Sequence, residues 1–258
     1  MKIKLGMQTI TWGDPQDGIV GSILDTARAC GYDGVEMGWR RIVPIGVEPL
    51  GRMLEDRGLC LVAPHAGGNL MDTEQAENER RQVDDILDGV IALGGKYLMY
   101  SGLKYSNDQQ LAEDIKMLNA TARRCSERGV QFLYHNHNYE FTDGARAFGA
   151  LMADTVPELG FCPDVGWIHK GGQDCIEVLE SIRDRVVAVH FKAFRTGEAG
   201  VYDFCCLEDG CAPFRAVADW VKGLDRDEIW VITEQDKHDG PPEDAVKRNA
   251  EFMRKCLG

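Results

Sequence analysis

The chain has 258 residues, 44% hydrophobic and 28% charged, a composition that buries a core without cross-links. Its formal net charge of −13, from 42 acids against 29 bases, argues against nucleic acid or an anionic membrane as partner, since both demand clustered Lys and Arg. No apolar run approaches the roughly 18 residues of a membrane span, Met1–Gly6 enters a strand pattern with no signal-like segment, and the nine cysteines are odd in number; together these point to a reduced, cytoplasmic protein.

Short apolar runs alternate with helical patterns along the chain. The run Ile3–Ile10 precedes an amphipathic stretch over Ile19–Cys30 that stops at Gly31, as expected where a helix C-terminus needs positive φ. Gly34–Met37 precedes a helix over Glu48–Arg57, ended by Gly58. Cys60–Pro64 leads to the clearest helix, capped near Thr73, with Val83, Ile86, Leu87, Val90 and Ile91 as its apolar stripe and Gly94-Gly95 as its stop. Tyr97–Tyr100 is followed by Asp108–Arg128, and Val130–His135 by Ala145–Asp154. The last pairs are Leu159–Cys162 with Cys175–Asp184, Val186–Phe191 with Pro213–Lys222, and Ile229–Thr233 with Pro242–Lys255.

Short runs rich in Val, Ile and Leu read as strands buried on both faces. Eight strand-then-helix units with right-handed crossovers close into a (β/α)8 TIM barrel, one domain over residues 1–258. An open doubly wound sheet is the competitor, but Thr9-Ile10-Thr11-Trp12-Gly13-Asp14 stands where its Gly-rich phosphate loop would be. Arg195–Ala212 reads as one long loop after strand seven.

Such barrels carry their chemistry at the carboxyl ends of the strands. There the chain places Glu36 after strand two, His65 after three, and His135-Asn136-His137 with Glu140 after five. Asp164 follows strand six, His190 and Lys192 strand seven, and Glu234 and Asp236 strand eight. Three carboxylates with one imidazole suit a single divalent ion of the harder kind, with Mn²⁺ expected and Mg²⁺, Co²⁺ or Zn²⁺ as alternatives. Such an ion would stabilise an enediolate while a carboxylate moves the proton. The blander readings are that His65 and His169 are structural, that Glu36 caps a helix, and that Trp12 and Trp167 pack instead of stacking on a sugar. Cys205, Cys206 and Cys211 lack the paired spacing of a zinc site and read as structural.

The motifs Tyr134–Phe141, Pro163–Trp167, Val189–Lys192, Thr233–Asp236 and Gly31–Glu36 together resemble the sugar phosphate isomerase/epimerase family, the xylose isomerase-like TIM barrels, over nearly the whole chain. Lys4–Trp12 and Glu36-Met37-Gly38 are similar to the inosose dehydratases within it. The resemblance implies one divalent metal held by Glu140, Asp164, His190 and Glu234. It also implies that Glu140 and Glu234 act as acid and base on opposite faces of the substrate. Asp164, His190 and Glu234 match the family pattern directly. Strand five carries His135-Asn136-His137 where Glu-Asn-His is commoner, so Glu140 is taken as the ligand and His137 as the alternative.

Substrate binding would fall to His65, His137, His169, Lys192, Glu36, Trp12 and Trp167, with Lys170 and His169 covering for the histidine that many relatives have at the place of Trp167. The implied reaction is isomerisation or epimerisation of a sugar, keto-sugar or polyol by proton abstraction next to a carbonyl. The alternative is a lyase, either an inosose dehydratase-like enzyme or one cleaving a 3-keto-glycoside by β-elimination. An abasic-site endonuclease of the same superfamily would need a three-metal cluster and a basic face, and six His with a charge of −13 fall short of both. A non-catalytic binding barrel would hold no metal. Relatives commonly form dimers or tetramers, so a homo-oligomer is implied as well.

Overall fold

The computed structural model describes residues 1–66, 76–102, 104–196 and 202–258. Nine strands are present: β1 Lys2–Gln8, β2 Gly34–Gly38, β3 Cys60–Ala66, β4 Tyr97–Ser101, β5 Gln131–His135, β6 Leu159–Phe161, β7 Ala188–Thr196, β8 Tyr202–Cys205 and β9 Glu228–Glu234. All but β8 are parallel, in the order β6-β5-β4-β3-β2-β1-β9-β7. Two isolated parallel bridges, Phe161 with Val186 and Asp164 with His190, join the ends of that order and close the barrel. The seam between β6 and β7 is therefore held by isolated bridges and not by a continuous ladder.

The expected loop Arg195–Ala212 is in part a hairpin. β7 runs on to Thr196 and β8 returns antiparallel to it, pairing Ala193 with Cys205 and Arg195 with Asp203. The strand was hidden because it is short and covers Phe194 and Phe204, whose rings meet at 5.0 Å, with no alternation long enough to read. Residues 197–201 of that stretch lie outside the described residues.

The helices are α1 Val20–Ala29, α2 Trp39–Ile45, α3 Val47–Glu55, α4 Ala76–Ala92, α5 Asp108–Glu127, α6 Thr142–Asp154, α7 Val165–Lys170, α8 Cys175–Ser181, α9 Phe214–Lys222 and α10 Pro242–Leu257. Eight match the expected units. Gly31 and Gly129 follow α1 and α5 at φ of +77° and +74°, the left-handed closure that glycine adopts without steric cost. In α6 the residues Asp143 to Ala145 are non-helical, so the regular turns begin after Ala145. On α4 the side chains of Val83, Ile86, Leu87 and Val90 are buried, but Ile91 is 44% exposed. It sits about 100° further round the helix than Val90 and so leaves the inward face. The expected cap at Thr73 lies outside the described residues.

The two helices not anticipated, α2 and α7, are one or two turns long, too short to show a period. α7 starts where the Asp164 side chain accepts the Trp167 N–H at 2.9 Å, the bond that an N-cap supplies. It also depends on Gly166, where a Cβ would lie 2.1 Å from the Lys192 carbonyl oxygen.

Two apolar regions result. The larger lies between the barrel wall and the helices, and the smaller fills the barrel with Val62, Ala63, Met99, Leu133, Cys162, Val187, Ala188, Trp230 and Ile232. A register shift beside Val35 and Glu36 lets the consecutive residues Val62 and Ala63 both join the inner group, the usual effect of a bulge. Gly34 makes room for this group, since a Cβ there would meet the Cys60 carbonyl at 2.6 Å and the Trp230 ring at 3.1 Å. Six of the nine cysteines, all free, are buried as small apolar side chains. No helix among the described residues is long and apolar enough to cross a membrane.

The packing of α7 is testable. Gly166→Ala should lower unfolding stability by about 2–4 kcal/mol in urea denaturation, since backbone must move. Gly149→Ala in α6, where nothing lies within 4 Å of the added carbon, should be neutral or stabilising by up to about 1 kcal/mol.

Candidate active site

Side chains alternate along a strand, so the residue two beyond an inward apolar position also points inward. The inner positions Gly6, Gly34, Ala63, Met99, Leu133, Cys162, Ala188 and Ile232 are followed two residues later by Gln8, Glu36, His65, Ser101, His135, Asp164, His190 and Glu234. Every barrel strand thus contributes one polar side chain to a layer over the apolar filling. This layer is the floor of a cavity of about 340 Å³, at the lower end of the range for small-molecule sites.

Buried carboxylates and imidazoles persist only when paired, and here they are. Glu36, fully buried, accepts from Gln8 Nε2 at 2.7 Å and lies 2.9 Å from His65 Nδ1 and 2.8 Å from His190 Nε2. Burial alone would raise its pKa, but His190 and His65 outweigh burial and hold the carboxyl well below the usual range. His65 Nε2 continues to Ser101 Oγ at 2.6 Å, which lies 3.3 Å from His135 Nδ1. The other ring nitrogen of His190, Nδ1, is 2.7 Å from Glu234 Oε2. Burial acts downward on His190, yet Glu36 and its neighbours keep it above the ordinary histidine value.

His135 behaves oppositely. Burial first, then the charge of His190, push its pKa well below 6.5, so the ring is neutral. Its Nε2 lies 3.3 Å from Asp164 Oδ2 and 3.7 Å from Glu234 Oε2. Both His135 Nε2 and Asp164 Oδ2 are buried with no hydrogen-bond partner. Two unpartnered polar atoms facing one another are costly in a protein interior and are what a shared cation would satisfy. One nitrogen or oxygen from each of His135, Asp164, His190 and Glu234 fits within a sphere of mutual distances below 4.8 Å, a donor set able to hold a metal.

Asp164 is held by its neighbours. Asn136 Oδ1 accepts its N–H at 3.0 Å and Asn136 Nδ2 donates to its carbonyl at 3.3 Å. That pair of hydrogen bonds ties the end of strand five to the chain beyond β6, on the side of Asp164 away from the β6–β7 seam. Burial raises the Asp164 carboxyl to about 6.

The structure does not bring Glu140 to this cluster. Its Oε1 accepts from Tyr134 OH and its Oε2 from the His137 N–H, each at 2.9 Å, and the side chain is fully buried. Glu140 stands in a 3-10 turn, Tyr139–Phe141, past the end of β5, and those two donors turn it away from the cavity. Burial raises its carboxyl to about 8. His137, the alternative, is also outside the four. It lines the cavity, stacks on Tyr139 at 5.0 Å and has Nδ1 2.9 Å from the Tyr139 hydroxyl, while burial pushes it down to about 3. His135 takes the fourth place. It was detectable, because it shares the parity of Leu133 in the same strand.

Of the expected substrate-binding residues, His65, His137 and Lys192 line the cavity. Lys192 is buried and bridges Glu234 Oε1 at 3.1 Å and Asp236 Oδ1 at 2.9 Å. Burial opposes its charge, but Glu234 and Asp236 hold it protonated, above the ordinary lysine value. Glu36 lies beneath the cavity as a support for both imidazoles. Trp12, Trp167 and His169 are not among its lining residues. Trp12 Nε1 donates to Glu243 at 3.2 Å, and Trp167 packs on Phe194 at 4.6 Å with the Lys192 ammonium 5.0 Å from its ring. Of the lining residues not anticipated, Gln8 and Ser101 end β1 and β4 and share the inward parity, while Trp39, Arg40, Arg41, Gln82 and Ile86 come from helices and carry no period tied to the barrel.

An eight-stranded parallel barrel with a buried His/Asp/His/Glu cluster at the carboxyl ends of its strands defines a class. The chain belongs to the xylose isomerase-like TIM barrel family, whose model matches residues 24–256. An inosose dehydratase of Clostridium perfringens is 25% identical over 219 residues, covering 75% of this chain and 72% of the relative. A sugar phosphate isomerase/epimerase from Parabacteroides distasonis shares the fold with a TM-score of 0.77 at 20% identity, over 96% of this chain and 93% of the other. The IOLI protein, solved with a zinc atom, superposes with a TM-score of 0.81 at 14% identity, over 98% of each chain. The family thus holds enzymes of isomerase, epimerase and dehydratase kinds.

Glu140 offers a pH test of its burial. A carboxyl whose folded pKa is about 8 against 4.5 in the unfolded chain favours the fold while protonated, and that contribution is fully present below pH 4.5 and lost as pH rises through about 8. One such group gives a slope of at most about 1.4 kcal/mol per pH unit. The stability difference between wild type and Glu140→Gln, measured by urea unfolding from pH 5 to 9, should shift against the wild type as pH rises. A difference independent of pH would show that Glu140 is ionised throughout.

Proposed function

We propose that this chain is a divalent-metal-dependent enzyme that removes the proton next to the carbonyl of a keto-sugar or keto-polyol, with β-elimination of water as the outcome. The metal would be held by His135, Asp164, His190 and Glu234. Bound there, a divalent ion would polarise the carbonyl oxygen and offset the negative charge that develops on it. Two imidazoles in place of one move the preference from the hardest ions toward Zn²⁺, Co²⁺ or Mn²⁺. The zinc atom in the IOLI structure agrees with that preference.

The observation that carries the choice of reaction is the contact between Asp236 and Lys192 at the cavity, with Glu140 held elsewhere. Epimerisation with a base on each face needs a second acid opposite Glu234, and Glu140, expected in that role, is turned into the wall by Tyr134 and the His137 backbone. The imidazoles His135 and His137 are held neutral by burial. Asp236 and Lys192 are in contact at 2.9 Å. Burial raises Asp236 to about 6, which makes it a competent base near neutrality. The Asp236 carboxylate takes the proton next to the carbonyl, and the Lys192 ammonium protonates the departing hydroxyl on the same face. Water leaves, and the proton on Asp236 returns to the Lys192 amine across their contact. Likeness to relatives named inosose dehydratase supports this outcome. Isomerisation is the second reading, because Asp236 alone can return the proton to the neighbouring carbon from the same face.

The readings separate in one experiment. An inosose or a 3-keto sugar incubated with Mn²⁺-loaded or Zn²⁺-loaded protein in D₂O should give an enone absorbance if water is eliminated. Isomerisation would give carbon-bound deuterium without it, and neither signal would remove the reading altogether. Asp236→Asn and Lys192→Met should each lower kcat by about 10²–10⁴-fold with metal content retained. His135→Gln and Asp164→Asn should lose metal on dialysis, measured by mass spectrometry, and Glu140→Gln should keep it. The reverse pattern for His135 and Glu140 would overturn the ligand assignment.

A further inference from the structure

The proton-transfer groups and the candidate metal cluster occupy the floor of the cavity, and its rim has a different character. Arg40 and Arg41, at the start of α2, both line the cavity and both pair with one acid, Asp14. Arg41 Nε donates to Asp14 Oδ1 at 2.5 Å and Arg40 Nη2 to Asp14 Oδ2 at 2.9 Å. The Arg41 side chain is only 5% exposed, while that of Arg40 is 73% exposed.

Two guanidiniums sharing one carboxylate leave a net positive charge at the rim of a protein whose net charge is −13. The floor is the opposite, with Glu36, Asp164, Glu234 and Asp236 gathered around it. A ligand with an anionic end is repelled by the floor and attracted by the rim, which fixes its direction of entry. Guanidinium forks suit planar or tetrahedral oxyanions through paired N–H donors.

We propose that Arg40 and Arg41, preset by Asp14, form an oxyanion subsite, so that the substrate is a keto-polyol carrying a carboxylate or phosphate at the end away from the carbonyl. This rests on the reading of the floor as the reaction centre, but it is measured by binding, independently of turnover.

The test is calorimetric titration of the metal-free and Mn²⁺-loaded protein with D-fructose, D-fructose 6-phosphate and 5-keto-D-gluconate. At least one anionic probe should bind about tenfold or more tightly than fructose, the size expected of a charge-assisted pair, in both metal states. Whether the phosphate or the carboxylate gains more identifies the anion. Arg40→Gln and Arg41→Gln should each reduce the ratio of anionic to neutral affinity toward one, and Arg41→Lys should restore it only in part. Arg40 is exposed, so Arg40→Gln decides the matter even where the Arg41 variant fails to fold. Equal affinities in the wild type would overturn the proposal, as would a preference that both glutamine variants keep. A preference seen only with Mn²⁺ and unaffected by either arginine would assign the anion to the floor instead. Loss of all proton exchange with the arginine-dependent ratio intact would sink the reaction and leave the subsite standing.

Discussion

A layer of ionisable side chains sealed inside a barrel over an apolar filling is the constraint on which the rest of this structure turns. Each of Glu36, Asp164, His190, Lys192 and Glu234 is almost completely removed from water, where a lone charge would be prohibitive. They persist because they alternate in sign through space. Glu36 joins His65 and His190, His190 joins Glu234, and Glu234 joins Lys192, which reaches Asp236. Removing one member leaves its neighbour buried and uncompensated, so the layer behaves as a unit. The place where the pairing fails, between His135 Nε2 and Asp164 Oδ2, is the place where a cation fits.

The architecture below supports that layer by economy of volume. Small inner residues such as Gly6 and Gly34 let Trp230 and Val62 fill the barrel, so the polar layer rests on a dry, close-packed base. The thin seam between β6 and β7 falls between two of the candidate ligands, Asp164 and His190. Their backbones bridge directly, and Asn136 bonds Asp164 on its other side. Gly166 lets α7 approach the Lys192 backbone, which brings the Asp164 cap and the Lys192 side chain into one rigid corner.

Much of this was legible in the chain. Buried parallel strands are apolar without interruption, so the eight runs announced the barrel, and the glycines after α1 and α5 marked helix ends. Asp164, His190 and Glu234, which follow their runs directly, do gather with one another in the structure. His135 was also within reach, since Leu133 and His135 must face the same side of a strand, but within His135-Asn136-His137 it was given no role of its own. Glu140 stands apart from the cluster for the converse reason. It lies past the strand, in a turn whose side chains obey no period, and its direction is set by the Tyr134 hydroxyl and the His137 N–H.

The chain alone therefore carried the alternation of elements, the closed barrel and the end of the barrel at which polar groups collect, because these follow from periodicities of two and 3.6 residues; the family was carried by its motifs. Tertiary structure alone decided that Glu140 turns away from the cluster, that β7 continues into a hairpin with β8, and that Arg40 and Arg41 converge on Asp14 at the rim. These depend on contacts between residues far apart in the chain, such as Asp14 with Arg41 or Glu36 with His190. No local pattern encodes them, because the partner that turns each side chain is supplied by another element.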